Sequence, residues 1–335
     1  MSYRKVIITE FGAPDVLEVV QEATLPEPAA NQVRIKVLAT SACFTDTMVR
    51  KGVYYNLKDK PPFPPGYDLV GVVDKIGAEV TSFKVGQTVA DLTVIGAYTE
   101  YICRAEDSLV PVPDGLDPAE AVSLVLSYVT AYQMLHRSAK VQPGQTILIQ
   151  GAGGAVGTAL IELGALLDLK MVGTASKSKH ELVESLGCSP IDYRSEDFLE
   201  RVGEGTVDAA FDAIDMETFK RSFKTLKKGG KFVAYGFYNN AMGKGGNVPL
   251  DYIRVKLWDW LPNGRSSTFY SIAEMRKKHP RWFREDLAAL FEMLAQGKIK
   301  PAIERRMKLE EAAQAHVIIE QAAVKGRIVL LVNEN

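Results

Sequence analysis

Residues 146–157 have the types and spacing to bind the phosphates of a dinucleotide. They read Thr-Ile-Leu-Ile-Gln-Gly-Ala-Gly-Gly-Ala-Val-Gly, an apolar strand leading into a glycine-rich turn, and the apolar stretch Thr158–Leu167 behind them predicts a helix. Glycines let backbone N–H groups approach an anion, and the dipole of the following helix favours its charge. We therefore expect a nicotinamide dinucleotide, with its pyrophosphate bound by Ala152, Gly153, Gly154, Ala155, Val156 and Gly157.

The motif departs from the usual pattern at one position. In register it reads Ala152-x-Gly154-x-x-Gly157, with alanine in place of the first glycine. Because glycine-rich turns are common, the stretch alone is also compatible with a plain strand–turn–helix corner. The elements that follow favour the dinucleotide site.

Strands and helices alternate after the turn, as in a doubly wound parallel sheet. A helix over Glu217–Leu226 is expected to end at Lys227–Gly230, where cations and glycines favour a helix C-terminus. The other predicted elements are strands Lys170–Thr174, Pro190–Tyr193, Val207–Phe211, Lys231–Tyr235 and Ser267–Ile272 and a helix at Lys179–Leu186.

The segment after the second strand of this sheet indicates which dinucleotide binds. NAD sites usually place an acid about 20 residues past the turn, to bind the ribose 2′-hydroxyl. Here the chain reads Ala-Ser-Lys-Ser-Lys, with Ser176, Lys177 and Lys179 and no acid. Cations and hydroxyl donors suit a 2′-phosphate, so the segment predicts NADPH rather than NADH. The alternative is that these lysines lie on a solvated face, as most lysines do.

Composition and charge exclude several classes of protein. The chain has 335 residues, enough for two domains, and a net charge of −1, which gives no global field for nucleic acid or an anionic membrane. Three scattered cysteines fit a reducing compartment. No signal-peptide pattern and no apolar run of about 18 residues is present. We expect a cytoplasmic protein that binds neither nucleic acid nor membrane.

The remaining sequence predicts a second, strand-rich domain. Short strands such as Val33–Leu38, Leu69–Ile76 and Thr99–Ile102, separated by Pro and Gly, indicate a mostly antiparallel, barrel-like domain. The tail, with helices Trp282–Gln296 and Glu310–Ala323 and strand Arg327–Val332, is expected to return to it. The predicted domains are residues 1–125 with 273–335, and an inserted cofactor domain, 126–272.

Taken in order, these pieces resemble the medium-chain dehydrogenase/reductase superfamily, and within it the zinc-independent quinone oxidoreductases. The matching segments are Phe11–Glu18, Phe63–Val73, Val85–Val89, Thr130–Tyr132, Ala152–Gly157 and Lys325–Leu331. The resemblance implies an α/β fold, in which a doubly wound (Rossmann) domain is inserted into a GroES-like catalytic domain. It also implies a homodimer formed through the edge of the cofactor sheet, at Ser267–Ile272.

Three positions bear on zinc, which the alcohol dehydrogenases of this superfamily bind. Cys43-Phe-Thr-Asp resembles their cysteine ligand segment, but Tyr67 stands where their histidine ligand is expected, and no cysteine lies near Leu126, where the third ligand would fall. A catalytic zinc needs three protein ligands. We therefore predict no metal. Cys43 is then either a small buried hydrophobe or a pocket-lining residue.

The resemblance also implies the reaction and its residues. Without zinc, the expected substrates are quinones or α,β-unsaturated carbonyl compounds, which receive a hydride and leave an enolate-like oxygen that needs hydrogen-bond donors. Thr45 matches a proton-relaying position of the zinc relatives, Tyr67 replaces a ligand, and Tyr54 lies in a loop, 52–56, that resembles a pocket rim. With Cys43, these are the catalytic candidates. Each tyrosine can instead simply pack with its hydroxyl wet.

Further cofactor-binding residues follow from the same resemblance and from the rule that ligands bind at the carboxyl ends of parallel strands. They are Phe44, Thr130, Tyr193, Ile214, Gly236, Phe237 and Tyr238. The leading hypothesis is an NADPH-dependent, zinc-independent reductase of quinones or enones. A non-catalytic NADPH-binding homologue and a zinc alcohol dehydrogenase are the alternatives.

Overall fold

The computed structural model describes residues 1–55 and 57–332, and the chain divides into two compact units. The first unit comprises residues 1–126 and the chain from 284 onward, and the second comprises residues 127–283. The second unit continues past residue 272, because Trp282 packs beneath the Arg137 guanidinium, whose carbon lies 4.5 Å from the ring centroid. The return to the first unit thus lies beyond the expected 273.

Strands supply the framework of both units. Within the described residues they are β1 (Tyr3–Ile8), β2 (Leu17–Glu22), β3 (Gln32–Ala42), β4 (Leu69–Ile76), β5 (Thr88–Asp91), β6 (Tyr101–Ala105), β7 (Val110–Pro111), β8 (Thr146–Ile149), β9 (Lys170–Ala175), β10 (Ser189–Asp192), β11 (Val207–Asp212), β12 (Leu226–Ala234), β13 (Ser266–Phe269), β14 (Ile303–Lys308) and β15 (Arg327–Leu331).

Helices connect and cover these strands. They are α1 (Phe44–Arg50), α2 (Pro118–Ser123), α3 (Val129–Gln133), α4 (Ala155–Ala165), α5 (His180–Ser185), α6 (Phe198–Val202), α7 (Met216–Lys224), α8 (Tyr238–Ala241), α9 (Val248–Trp258), α10 (Ile272–Lys278), α11 (Pro280–Ala295) and α12 (Ala312–Glu320). Across residues 1–55 and 57–332, no helix combines the length and apolar character needed to cross a membrane.

The first unit is built on a mostly antiparallel sheet with the order β14-β15-β3-β4-β5-β7, and β6 also pairs with β3. Strand β3 alternates buried and half-buried residues over Val33, Ile35 and Val37, which places its apolar face in the core. The strand predicted at Thr99–Ile102 begins later, at Tyr101, because Thr99 forms an isolated bridge with Lys5 instead. The predicted antiparallel domain is confirmed.

The second unit is a six-stranded sheet with the order β10-β9-β8-β11-β12-β13, in which neighbouring strands are parallel. Its central strands are apolar on both faces, as parallel strands covered by helices must be. Phe219 of α7 packs on Phe232 of β12 with the ring centroids 5.4 Å apart. The predicted doubly wound sheet is confirmed.

Two element boundaries of the second unit differ from the sequence prediction. Helix α7 ends at Lys224, and β12 already begins at Leu226, so the helix end expected at Lys227–Gly230 is wrong. Leu226 pairs with Val207, after which the register shifts and leaves a bulge. Gly229 makes that bulge, with φ +81° and its N–H donating to the Gly264 carbonyl at 2.6 Å. The glycines therefore serve a strand irregularity rather than a helix cap.

The edge strand β13 is shorter than the predicted Ser267–Ile272. It ends at Phe269, which pairs with Ala234, the last residue of β12, and the Ser271 side chain already caps α10. In the described part of the sheet β13 forms one end and β10 the other. The dimer expected at this edge stays a prediction.

Candidate cofactor and substrate sites

The glycine turn between β8 and α4 fits its sequence closely. Gly151 has φ +72°, a conformation that favours glycine. A Cβ on Gly157 would lie 2.4 Å from the Gly151 carbonyl oxygen and 2.6 Å from that of Ala152, so only glycine fits there. The methyl group of Ala152 is accommodated because Gly173 of β9 lies opposite, where a Cβ would come within 2.5 Å of it. The methyl group of the alanine at the first motif position thus occupies space that a glycine on the neighbouring strand leaves open.

The N-terminus of α4 is open. The helix begins at Ala155, three residues before the predicted Thr158, so Ala155, Val156 and Gly157 contribute first-turn N–H groups. Its N-cap, Gly154, provides no side-chain acceptor for them, and the nearest atom to a Cβ built there lies 3.4 Å away. A helix terminus with uncapped donors and free space beside its N-cap suits a pyrophosphate.

Polar and basic groups lie beside this turn. Ser176 follows β9 directly and opens a short 3₁₀ turn over Lys177–Lys179, in which its hydroxyl lies 3.2 Å from that of Ser178. The aliphatic part of Lys179 packs against the turn, since a Cβ on Gly153 would lie 2.7 Å from its Cδ. Lys177 is exposed. The three residues expected to meet a 2′-phosphate therefore share one short segment next to the glycine turn.

The loops after β11 and β12 are joined to each other. The Tyr238 N–H donates to the Ala213 carbonyl at 2.7 Å, and the Asn239 N–H donates to the Ile214 carbonyl at 3.0 Å. The ring of Phe237 instead turns into the core, where it stacks on Phe269 with centroids 5.3 Å apart. The structure thus brings Ile214 and Tyr238 together at the carboxyl ends of β11 and β12. Because its ring is packed in the core, Phe237 can contribute only its backbone there.

The remaining predicted cofactor residues lie on other elements. Tyr193 is exposed, with the Arg194 guanidinium 5.7 Å from its ring. Thr130 is buried on α3 of the second unit. Phe44 is the half-buried first residue of α1 in the first unit, and its carbonyl accepts from the Thr47 hydroxyl at 2.7 Å. Their cofactor roles stay predictions.

In the first unit, the hydroxyls of Tyr54 and Tyr67 are hydrogen-bonded at 2.7 Å. Their side chains are buried, at 8% and 2% exposure, and the rings meet edge-on at 6.0 Å. Burial raises the pKa of Tyr67 well above its usual value and also raises the pKa of Tyr54. Both hydroxyls are therefore neutral and carry their protons. Asn56, in the same predicted rim loop, lies outside the described residues.

Cys43 acts as the N-cap of α1. Its N–H donates to Asp46 Oδ2 at 2.9 Å, while its sulfur accepts from the Asp46 N–H, a reciprocal capping box. Burial, reinforced by the Asp46 charge, raises the pKa of the thiol well above its usual value, so it stays neutral. Thr45 lies half-buried on the first turn of the same helix. Cys43 is thus a cap of this helix and not an activated nucleophile.

Two buried carboxyls lie behind these residues. Burial raises the pKa of Asp46 to about 7 and that of Asp68 to about 6, the latter opposed by a hydrogen bond from the Ser41 N–H and by the Arg327 charge. The Tyr98 hydroxyl lies 3.4 Å from Asp46 Oδ2 and 3.1 Å from His316 Nε2. The result is a polar core under α1.

The positions at which zinc relatives carry ligands hold other groups here. They are Cys43, which caps a helix, Tyr67, whose hydroxyl meets Tyr54, and Leu126, which is half-buried. Across the described ranges, no three His, Cys, Asp or Glu side chains are grouped so as to hold a metal ion. The absence of metal stays a prediction, which metal analysis of the purified protein tests.

Sequence patterns gave no indication of one polar network in the second unit. Gln150, Thr174, Asp212 and Ser222 form a buried chain of hydrogen bonds at the ends of three strands. Burial raises the pKa of Asp212 to about 7. The only available signal was a polar residue at the end of each apolar strand, which is too common to be specific.

Comparison with known proteins settles the family. A family model described as alcohol dehydrogenase GroES-like domain matches residues 29–114, and one described as zinc-binding dehydrogenase matches residues 186–330. The quinone oxidoreductase of Sus scrofa is 30% identical over 332 residues, covering 97% of this chain and 96% of its own length. The chain belongs to the zinc-independent quinone oxidoreductase family of the medium-chain dehydrogenase/reductase superfamily. The resemblance stated from its motifs is confirmed.

Two further proteins are similar to this chain over nearly its full length. The 2-haloacrylate reductase of a Burkholderia species is 30% identical over 342 residues, with 97% of this chain and 98% of that protein covered. The solved structure of Escherichia coli quinone oxidoreductase complexed with NADPH gives a TM-score of 0.84 at 25% identity, covering 98% of this chain and 99% of that one. This family member is therefore an oxidoreductase.

Proposed function

We propose that this quinone oxidoreductase family member reduces quinones or α,β-unsaturated carbonyl compounds with NADPH, without zinc. The observation that carries the proposal is the hydrogen-bonded pair Tyr54–Tyr67, two neutral buried hydroxyls at 2.7 Å, one of which stands at a position where zinc relatives carry a metal ligand. Neutral donors can stabilise an oxyanion where a metal would otherwise polarise the carbonyl.

The second unit supplies the residues that would hold the cofactor. The first-turn N–H groups of Ala155, Val156 and Gly157 would bind the pyrophosphate, and Ser176, Lys177 and Lys179 would bind the 2′-phosphate. The open N-cap at Gly154 and the absence of an acid in the segment 175–179 support NADPH. When bound, the nicotinamide supplies a hydride to a carbon of the substrate.

The first unit supplies the proton and the charge stabilisation. The Tyr54 hydroxyl is hydrogen-bonded to Tyr67 and also to Tyr55, so the pair belongs to a short chain of hydroxyls. A substrate oxygen that enters beside this chain would accept a hydrogen bond from one of these hydroxyls in place of its present partner. As negative charge develops on that oxygen, this hydroxyl would stabilise it and then deliver the proton. The product from a quinone is a hydroquinone, and the product from an enone is an enol that tautomerises to the saturated carbonyl compound. Thr45 is placed on the neighbouring helix α1 as a second hydroxyl.

The test is a turnover assay with the purified protein. Oxidation of NADPH is followed against a panel of quinones and enones, with NADH in parallel and with metal content measured on the same sample. We expect turnover of at least one class with NADPH in metal-free protein. Tight NADPH binding without turnover of any acceptor would favour the non-catalytic homologue, and one bound zinc per chain would favour an alcohol dehydrogenase.

A further inference from the structure

A buried chain of side-chain hydrogen bonds, which we call the strand-end relay, joins three neighbouring strands of the second unit. It consists of Thr174 in β9, Gln150 directly after β8, Asp212 at the end of β11, and Ser222 on α7. Gln150 and Thr174 are 3% exposed, and Asp212 and Ser222 are fully buried. The carboxyl ends of such strands are where ligands bind in doubly wound sheets.

The donors and acceptors of the relay run in one direction. The Ser222 hydroxyl donates to Asp212 Oδ2 at 2.8 Å, so its oxygen accepts from Gln150 Nε2 at 3.1 Å. That contact turns Gln150 Oε1 toward the Thr174 hydroxyl, which donates to it at 2.6 Å. Thr174 Oγ1 in turn accepts from the N–H of Gly151 at 3.1 Å. The acceptor at Asp212 therefore determines the orientation of every group up to the glycine turn.

The other oxygen of Asp212 reaches a second segment. Its Oδ1 accepts from the Ile214 N–H at 2.9 Å, and the Asp212 carbonyl accepts from the Tyr235 N–H at 3.0 Å. One end of the relay is thus the backbone of Gly151, which opens the glycine turn, and the other is the backbone of Ile214, a predicted cofactor-binding residue in the loop after β11. Each polar side-chain atom of the relay has a partner, and a fully satisfied buried network is rigid.

We propose that Asp212 is a positioning residue for the dinucleotide. Acting through Ser222, Gln150 and Thr174, it holds the backbone of the glycine turn and that of the Ile214 loop in one fixed relation. The inference rests on the proposed NADPH function, because it assigns the relay to the same binding site. We therefore expect a substitution at Ser222, whose side chain contacts neither the glycine turn nor the Ile214 loop, to affect the backbone of both.

The test uses Ser222→Ala, which removes the middle of the relay and leaves both ends in place. In the cofactor-free protein we expect amide hydrogen exchange at Gly151 and Ile214 to become at least ten-fold faster. We expect the Kd for NADPH to rise about ten-fold while kcat at saturating NADPH stays within two-fold. Thr174→Val should act in the same way at Gly151, and Thr174→Ser, which keeps the hydroxyl, should restore both values.

The matched control is Ser267→Ala. It removes another buried hydroxyl of the second unit, one bonded to the Val255 carbonyl, and should change neither exchange at Gly151 nor the Kd. Unchanged exchange at Gly151 and Ile214 in Ser222→Ala, or an equal effect of the control, would overturn the proposal. If the wild-type protein binds no NADPH, the proposed function fails, and the exchange measurement still decides whether the relay holds the two loops.

Discussion

Ala152 of the glycine turn and Gly173 of the neighbouring strand β9 form a complementary pair in the second unit. A Cβ on Gly173 would lie 2.5 Å from the methyl group of Ala152. The extra methyl group that alanine brings to the first motif position is therefore matched by the missing side chain of a glycine on β9. Close-packed interiors tolerate such an addition only when it is matched by a deletion.

This pairing predicts coupled mutational effects. Gly173→Ala should lower the free energy of unfolding by about 1–3 kcal/mol through overpacking. The double variant Ala152→Gly/Gly173→Ala should recover part of that loss, since the clashing methyl is gone. Urea unfolding of the two single variants and the double variant measures the coupling. Strict additivity would show that the two positions do not share this space.

Two glycines of the turn should respond differently to the same substitution. A Cβ on Gly157 meets backbone oxygens at 2.4 and 2.6 Å, whereas one on Gly154 meets its nearest atom at 3.4 Å. Gly157→Ala should therefore lower the free energy of unfolding by about 1–3 kcal/mol, which corresponds to a fall in Tm of several degrees. Gly154→Ala should leave Tm within about a degree and still weaken NADPH binding, because its methyl enters the open N-terminus of α4. Thermal unfolding and NADPH titration of both variants test this, and equal Tm values would contradict it.

The basic segment after β9 should determine cofactor preference. Lys177→Glu should raise the Kd for NADPH at least ten-fold, about 1.4 kcal/mol, because an acid repels the 2′-phosphate. It should leave NADH binding unchanged or stronger, because NADH lacks that phosphate. The control is Lys228→Glu, which makes the same charge change at an exposed lysine of β12 in the same unit. An equal loss for both cofactors would remove Lys177 from the 2′ site.

The hydroxyl pair should affect turnover rather than cofactor binding. Tyr67→Phe should lower kcat about ten-fold or more, in the range of general acid catalysis, with the Kd for NADPH unchanged. Tyr101→Phe, which removes a hydroxyl from β6 of the same unit, should leave kcat as it is. Steady-state kinetics on the best acceptor of the panel measures both variants. Full kcat in both Tyr67→Phe and Thr45→Val would show that the catalytic assignments are wrong.

The buried carboxyl of Asp46 should make stability depend on pH. Burial raises its pKa to about 7, from an unfolded value near 4, so the native state holds a proton that the unfolded chain releases between these values. Its contribution is fully present below about pH 4 and is lost as pH rises through 7. The stability of wild type relative to Asp46→Asn should therefore fall between pH 4 and 7. Urea unfolding at several pH values measures this difference, and a constant difference would contradict the prediction.

The sequence by itself determined the order of the elements and the chemistry of the cofactor turn. Period and composition predicted the parallel strands, and the glycine spacing predicted the turn, because both depend on local backbone geometry and on which faces are buried. The motif order was specific enough to identify the family. The ends of elements were less well determined: Gly229 and Gly230 were interpreted as a helix end, although pairing of Leu226 with Val207 makes them a bulge.

Only the tertiary structure decided which distant residues meet. The hydroxyl pair Tyr54–Tyr67, the complementary pair Ala152–Gly173 and the strand-end relay each join residues from different elements, and no local pattern encodes such contacts. Cys43 shows the same limit, since its role as a helix cap with a neutral thiol follows from burial and from Asp46 rather than from its motif. Hydrogen bonds and desolvation depend on three-dimensional neighbours, and these are fixed when the chain packs.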